Sequence, residues 1–316
     1  LLVGDIGGTH ARFALVDSSG GAPQQTQVLH CADFAGPVAA AQAYLEQLPE
    51  RVRPGRAALA VATAVTTGVI KLTNNDWELD CDEMAAVLDL SSVTVLNDFE
   101  ALAFSLPHLG PDDYRLIGSA QPDAGLPMAV IGPGTGLGVG GVIPLGSSPE
   151  RWRAVASEGG HVTLHANDEF QAAVLAAARM QFAHVSAERL LSGIGLPTLR
   201  QAIATVQGLD AIEPLNSEQI GTRGSNGSDA LCQATMSLFC SMLGSLAGNV
   251  ALTLGARGGV FIGGGIVPKL GDFFDRSNFR SQFEAKGRFA EYLTPIATAV
   301  ITAPFATLQG LSAAEV

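Results

Sequence analysis

Residues 4–16 read GDIGGTHARFALV, and residues 132–143 read GPGTGLGVGGVI. Each stretch is an apolar strand, a Gly-Thr bend and a second apolar strand. Thr9 and Thr135 hold equivalent places in the two bends. One such hairpin near the start of each half predicts a duplicated α/β fold.

The bends also limit the chemistry. A Walker A loop needs a lysine beside its glycines, and neither bend has one. Gly136, Gly138 and Gly141 match the spacing of a dinucleotide fingerprint, but that fingerprint opens a helix. Here Val142-Ile143-Pro144 continues a strand. The remaining option is a hairpin turn that presents backbone N–H groups to phosphate oxygens as an anion nest. Gly7 and Gly8 remove Cβ obstruction, and Thr9 adds a hydroxyl. A third glycine cluster, Gly263-Gly264-Gly265, strengthens the phosphate reading. Asp5 ends the first strand and suits Mg²⁺, directly or through water, because hard cations on phosphates favour carboxylates.

Composition excludes other classes. The chain has 316 residues, 47% of them hydrophobic and 15% charged, which is incompatible with extended disorder. Its net charge of −12 and its lack of any Lys/Arg run oppose a nucleic-acid partner. Cys31, Cys81, Cys232 and Cys240 form no CxxC pair and read as reduced thiols of a cytoplasmic protein. The apolar opening strand has no basic region or cleavage site, so no signal peptide is expected. Met236 to Ala256 is uncharged and long enough to span a bilayer. However, Ser237, Ser241, Ser245, Asn249 and Thr253 draw a polar stripe along it, so a buried core helix is expected and no membrane partner.

Organisation follows from the same patterns. Strands are expected over 57–65, 68–77 and 93–96, and helices over 38–48, Cys81 to Leu88 and Phe99 to Ser105. Helices are also expected over Asn167 to Phe182, Ser186 to Leu191 and 229–254. The glycine-rich bend is expected to run over 132–141, and the Gly/Ser/Asn-rich residues 208–228 read as a surface loop. The polar stretch 107–127 is the candidate boundary. It gives a small domain of 1–107 closed by 300–316, and a large domain of 108–299.

Two constellations carry chemistry. Asn97-Asp98 follows the strand VTVL, and ligands of α/β sheets collect beyond the carboxyl ends of strands. Phosphoryl transfer to an alcohol needs positioning, charge neutralisation and one base. Asp98 fits that base and Asn97 a partner for a hydroxyl; Asn97-x-x-Glu100 equally reads as a helix capping box. Glu158-Gly159-Gly160-His161 places a carboxylate and an imidazole around two glycines, a pair that reads adjacent hydroxyls. With His165 these residue types also suit zinc.

The ordered set GDIGGTHARFAL, LNDFEALAFSLPHL, GPGTGLGVGGV, EGGHV, HVSAERLLSG and GGVFIGGGIVPKL spans nearly the whole chain. It resembles the bacterial glucokinase family of the hexokinase/actin/heat-shock-70 ATPase fold. The resemblance implies a two-domain actin-like (ribonuclease H-like) α/β fold with a cleft between the domains. It also implies ATP- and Mg²⁺-dependent phosphorylation of glucose at O6, the first step of glycolysis. Asp98 would be the catalytic base. Asn97, Asp98, Glu158, His161 and Glu188 would bind the sugar. Gly4, Asp5, Ile6, Gly7, Gly8 and Thr9, with Gly134, Thr135, Gly136, Gly264 and Gly265, would bind ATP. Asn74 and Asn75 align with a family asparagine near the sugar, and a homodimer is implied.

The related repressor/kinase group carries zinc with a downstream cysteine cluster. This chain has no cysteine between Cys81 and Cys232, so zinc is not expected. Two segments depart from the family: 63–68 lacks the usual proline turn, and 305–310 reads FATLQG where N-P-G-L-L-G is usual. They bear on affinity and interdomain geometry more than on reaction class. The rival readings are a kinase of fructose, mannose or N-acetylmannosamine and, in another class, a non-catalytic sugar sensor.

Overall fold

In the computed structural model the opening alternation becomes strands β1 (Leu2–Ile6) and β2 (His10–Leu15) around a turn at Gly7–Thr9. The structure describes residues 1–17, 21–49, 53–63, 68–72, 76–146, 151–209 and 211–314. The chain divides into two compact units. The first holds Leu1–Leu109, Trp152–Ala156 and Ala303–Val316, and the second holds Gly110–Arg151 and Ser157–Thr302.

The first unit continues through β3 (Gln24–His30), α1 (Pro37–Glu46), β4 (Arg56–Val61), β5 (Ile70–Lys71), β6 (Glu78–Leu79), α2 (Cys81–Leu88), β7 (Ser92–Asn97) and α3 (Asp98–Ser105). Its sheet runs in the order β3-β2-β1-β4-β7. The β1–β2 and β2–β3 pairs are antiparallel; β1–β4 and β4–β7 are parallel. β4 is almost wholly buried and reads as a continuous apolar run, as a strand covered on both faces should. Tyr44 of α1 stacks on Phe13 of β2 on one face. On the other face Leu308 and Leu311, from the C-terminal helix Ala306–Ala313, pack with Val3, Ala58 and Ala101.

The second unit repeats the design. It contains β8 (Tyr114–Leu116), β9 (Met128–Pro133) and β10 (Leu137–Pro144). β11 (Trp152–Ser157) enters it only at Ser157. Then come α4 (Glu169–Arg179), α5 (Leu196–Val206), α6 (Ser217–Ser225), α7 (Ala230–Leu254) and β12 (Gly259–Ile262). The short helices α8 (Val267–Leu270), α9 (Asp272–Asp275), α10 (Phe279–Glu284) and α11 (Ala290–Leu293) precede β13 (Thr298–Ile301). β9 and β10 form the antiparallel hairpin, β9, β12 and β13 run parallel, and β8 closes antiparallel on β13. A glycine hairpin followed by parallel strands therefore stands at the heart of each unit, as the sequence echo implies.

The core of the second unit is built on α7. This helix is long and apolar enough to cross a membrane, yet 61% of its most apolar window is buried within the protein. Phe239, Leu243 and Ala247 are fully buried, and truncating a phenylalanine at such a site costs about 3–5 kcal/mol. Gly244 and Gly248 let the backbone around Phe279 and Phe283 approach so closely that a Cβ would clash. In the expected polar stripe, Ser237 and Thr253 are exposed and Ser245 is buried.

Three local expectations are corrected. The bend expected over 132–141 is only the turn Gly134–Gly136, because 137–141 continue as strand β10. Residues Ser186 to Leu191 are not a helix. The Ala187 and Glu188 N–H groups donate to the carbonyls of Val162 and Gly160, which draws the backbone into turns. Residues 208–228 contain α6, nucleated by a capping box between Asn216 and Gln219 and held by buried Ile220. Asn74, Asn75 and residues 64–67 lie outside the described residues.

Candidate active site

One group of candidate residues grows from the β1–β2 hairpin. The Gly7 N–H donates to His10 O at 3.0 Å, so it closes the turn. A Cβ at Gly7 would lie 3.3 Å from His10 O, so what glycine supplies here is room. Thr9 is exposed at the bend. Cys31, directly after β3, braces the turn: its N–H donates to Thr9 O at 2.8 Å and its thiol to Gly7 O at 3.4 Å. Burial pushes the Cys31 thiol above its usual range. Gly4 is fixed by packing, since a Cβ there would meet Leu59 at 2.7 Å and Phe13 at 2.8 Å. Ile6 is buried in the core.

Asp5 carries a partner the sequence reading missed. The Arg12 guanidinium donates to Asp5 Oδ2 at 3.0 Å across the hairpin. Counting outward from the turn sets residue 5 opposite residue 12, so strand register alone could have found it. Burial pushes the Asp5 carboxyl up, and Arg12 pulls against that shift without cancelling it.

Asn97 ends β7 and caps α3. Its Oδ1 accepts from the Phe99 N–H at 2.9 Å and the Glu100 N–H at 3.4 Å. One amide hydrogen goes to Thr63 O at 3.3 Å. Asp98 is the first residue of α3, and its Oδ1 accepts from the Phe99 N–H at 3.0 Å. Burial raises the Glu100 carboxyl, while the Asn97 N–H draws it down. The cap thus fixes the backbone from which Asp98 projects at the carboxyl end of a parallel strand.

A second group of candidate residues belongs to the other unit. The β9–β10 turn closes through the Gly134 N–H to Gly136 O at 2.9 Å, which leaves Thr135 exposed at its tip. The Gly193 N–H donates to Gly134 O at 2.8 Å, and the Ile194 N–H to Thr135 O at 3.2 Å. Glu188 belongs to the same segment. Its Oε2 accepts from the Leu137 N–H at 2.9 Å, just past the glycine turn. The Glu188 N–H donates to Gly160 O at 2.9 Å, which ties it to the Glu158–His161 loop.

In that loop His161 Nε2 lies 3.8 Å from Glu158 Oε2, and both side chains are about 60% exposed, at 60% and 63%. They are therefore accessible to a ligand. Gly264 has φ +76°, a left-handed conformation that suits glycine, and it packs against the Pro133 carbonyl. The Gly263 N–H donates to Ile131 O at 2.9 Å. The turn, the Gly264–Gly265 cluster, Glu158, His161 and Glu188 are thus gathered around the end of β9 within one unit. His165 does not join them. Its Nε2 lies 3.1 Å from Ser245 Oγ, and Lys286 Nζ donates to the same hydroxyl at 2.8 Å.

Residues 2–316 match the family model for glucokinase. The chain is 48% identical over 313 residues to a glucokinase of Aromatoleum aromaticum, covering 99% of this chain and 93% of that protein. It is 46% identical over 312 residues to a glucokinase of Paramagnetospirillum magneticum, covering 99% and 96%. Among solved structures, the glucokinase from an Antarctic psychrotroph superimposes with a TM-score of 0.88 at 35% identity, covering 99% of this chain and 97% of that one. With its paired glycine hairpins and its full-length match, the chain belongs to the glucokinase family.

Proposed function

We propose that the protein transfers the terminal phosphoryl group of ATP to O6 of D-glucose, giving glucose 6-phosphate in the cytoplasm as the first step of glycolysis. The observation that carries this reading is the match of residues 2–316 to the glucokinase family.

Asp98 acts as the base that accepts the O6 proton as the oxygen attacks the phosphorus. What supports it is its place as the first residue of a capped helix, with its backbone anchored by Asn97. Asn97, with one amide hydrogen still to donate, orients a sugar hydroxyl. Glu158, His161 and Glu188 hold further hydroxyls of the same sugar. The exposure of the first two and the fixed geometry of the third fit that task. The two units correspond in this reading to a small domain (1–107 with 300–316) and a large one (108–299) of an actin-like fold.

ATP is held by Gly4 to Thr9, Gly134 to Gly136, and Gly264 with Gly265. The Gly7 and Gly134 N–H groups close their turns, so the Thr9 and Thr135 hydroxyls at the tips are the donors we assign to phosphate. Among the described residues no group of three or more His, Cys, Asp or Glu could hold a metal by itself. That suits Mg²⁺ arriving on the nucleotide with one protein carboxylate, and Asp5 provides it, since its pair with Arg12 uses Oδ2. When bound, the ion neutralises charge on the phosphates. A homodimer belongs to the same proposal and is checked by sedimentation.

A coupled assay with glucose, Mg²⁺ and ATP tests the reading, with fructose, mannose and N-acetylmannosamine in parallel. Glucose 6-phosphate formation with glucose the best substrate is expected. Preference for another sugar, or no turnover, overturns it.

A further inference from the structure

We propose that His10 and His30 form a chelating site for a borderline divalent transition-metal ion such as Zn²⁺, Ni²⁺ or Cu²⁺. The two histidines stand directly opposite each other on antiparallel β2 and β3. The Cys31 N–H donates to Thr9 O at 2.8 Å, one residue outside the pair on each strand. That places His10 and His30 in a non-hydrogen-bonded pair, the position where facing side chains come closest. Their ring centroids are 5.4 Å apart, with the planes at 85°.

A tetrahedral ion bound to two imidazole nitrogens at ~2.1 Å, each ~1.1 Å from its ring centre, sets the centroids about 5.2 Å apart. The rings are therefore already at chelating separation and need only rotate about their side-chain bonds. Both residues are exposed, and β3 is an outer strand of its sheet, so water fills the remaining coordination positions. Neutral imidazole selects Zn²⁺, Ni²⁺ and Cu²⁺, whereas Mg²⁺ prefers oxygen ligands. The site is thus chemically separate from any ion carried by a nucleotide. It also has a mechanical consequence. An ion joining β2 to β3 here reinforces the bracing that Cys31 gives to the Gly7–Thr9 turn. The inference rests on this strand pair alone and does not depend on the kinase reading.

The test is calorimetric titration of Ni²⁺ into the full-length protein without a polyhistidine tag, near neutral pH. One ion per chain is expected at this site. His10→Gln and His30→Gln should each weaken binding by about tenfold or more, because either change leaves a single ligand where two acted together. The double variant should lose little beyond either single one. Electron paramagnetic resonance of the Cu²⁺ complex should show two nitrogen donors in the wild type and one in His30→Gln. Circular dichroism checks that the variants are folded. His184→Gln, at an exposed histidine hydrogen-bonded to Thr163, should bind as the wild type does. Unchanged binding in His30→Gln, a one-nitrogen signal in the wild type, or loss in His184→Gln alone overturns the proposal.

Discussion

The Glu188 carboxylate accepts a hydrogen bond from the Leu137 N–H at 2.9 Å. This contact joins a proposed sugar ligand to the first residue beyond the Gly134–Gly136 turn. In one short link, sugar recognition and the glycine hairpin share a support. An ideal Cβ at Gly136 would lie 2.5 Å from Glu188 Oε2. The Gly136→Ala variant should therefore displace the carboxylate and break its bond to Leu137. A hydrogen bond to a charged group is worth about 1.5–3 kcal/mol, so the KM for glucose should rise about tenfold or more. Steady-state kinetics with glucose varied checks this; an unchanged KM argues against Glu188 as a sugar ligand.

Asp98→Asn keeps the side chain's size and its place at the start of α3 but removes the proton acceptor. Glucose binding should persist while kcat falls by roughly 10²–10⁴. Turnover near that of the wild type would remove Asp98 from its role.

Glu158→Gln should weaken glucose binding far more than ATP binding. The side chain is 63% exposed, so folding should be little affected. Calorimetry with each ligand separately decides; equal losses contradict the assignment.

Stability should fall as the solution is acidified below the ordinary histidine value of 6.5, through His165 and His108. Burial lowers both, and the neighbouring Lys286 charge lowers His165 further, against a smaller opposing hydrogen bond from Asn167. A folded-state value below the unfolded one means the unfolded chain binds the proton more tightly. The loss therefore begins near 6.5 and is complete below the folded values. His165 sits among Ser245, Asn249 and Lys286, so His165→Gln should flatten part of this dependence. Urea denaturation between about pH 5 and 8 measures it. An equally steep profile in the variant rules out His165 as a source.

Much of the fold was legible because its signals are local. GDIGGTHARFALV alternates apolar residues around glycine, and β1 and β2 fall there. The Asn97-x-x-Glu100 spacing announced the cap of α3, and the uncharged run after Asp229 announced α7. Backbone conformation in such stretches follows from side-chain periodicity and caps, which a linear reading can see. The sequence by itself also set Asp5 near the end of the first strand and Asp98 directly after the strand VTVL.

Tertiary structure decided the rest. Residues 186–191 have helical composition, yet Val162 and Gly160 offer carbonyls that the local chain cannot match, and turns result. Residues 217–225 look like a loop, yet Ile220 finds a core and the capped helix forms. The pairing of Asp5 with Arg12, of Glu188 with Leu137 and of His10 with His30 depends on strand register and on contacts between distant segments. Hydrogen bonds and ring contacts of that kind are set by three-dimensional approach, which residue order constrains but does not display.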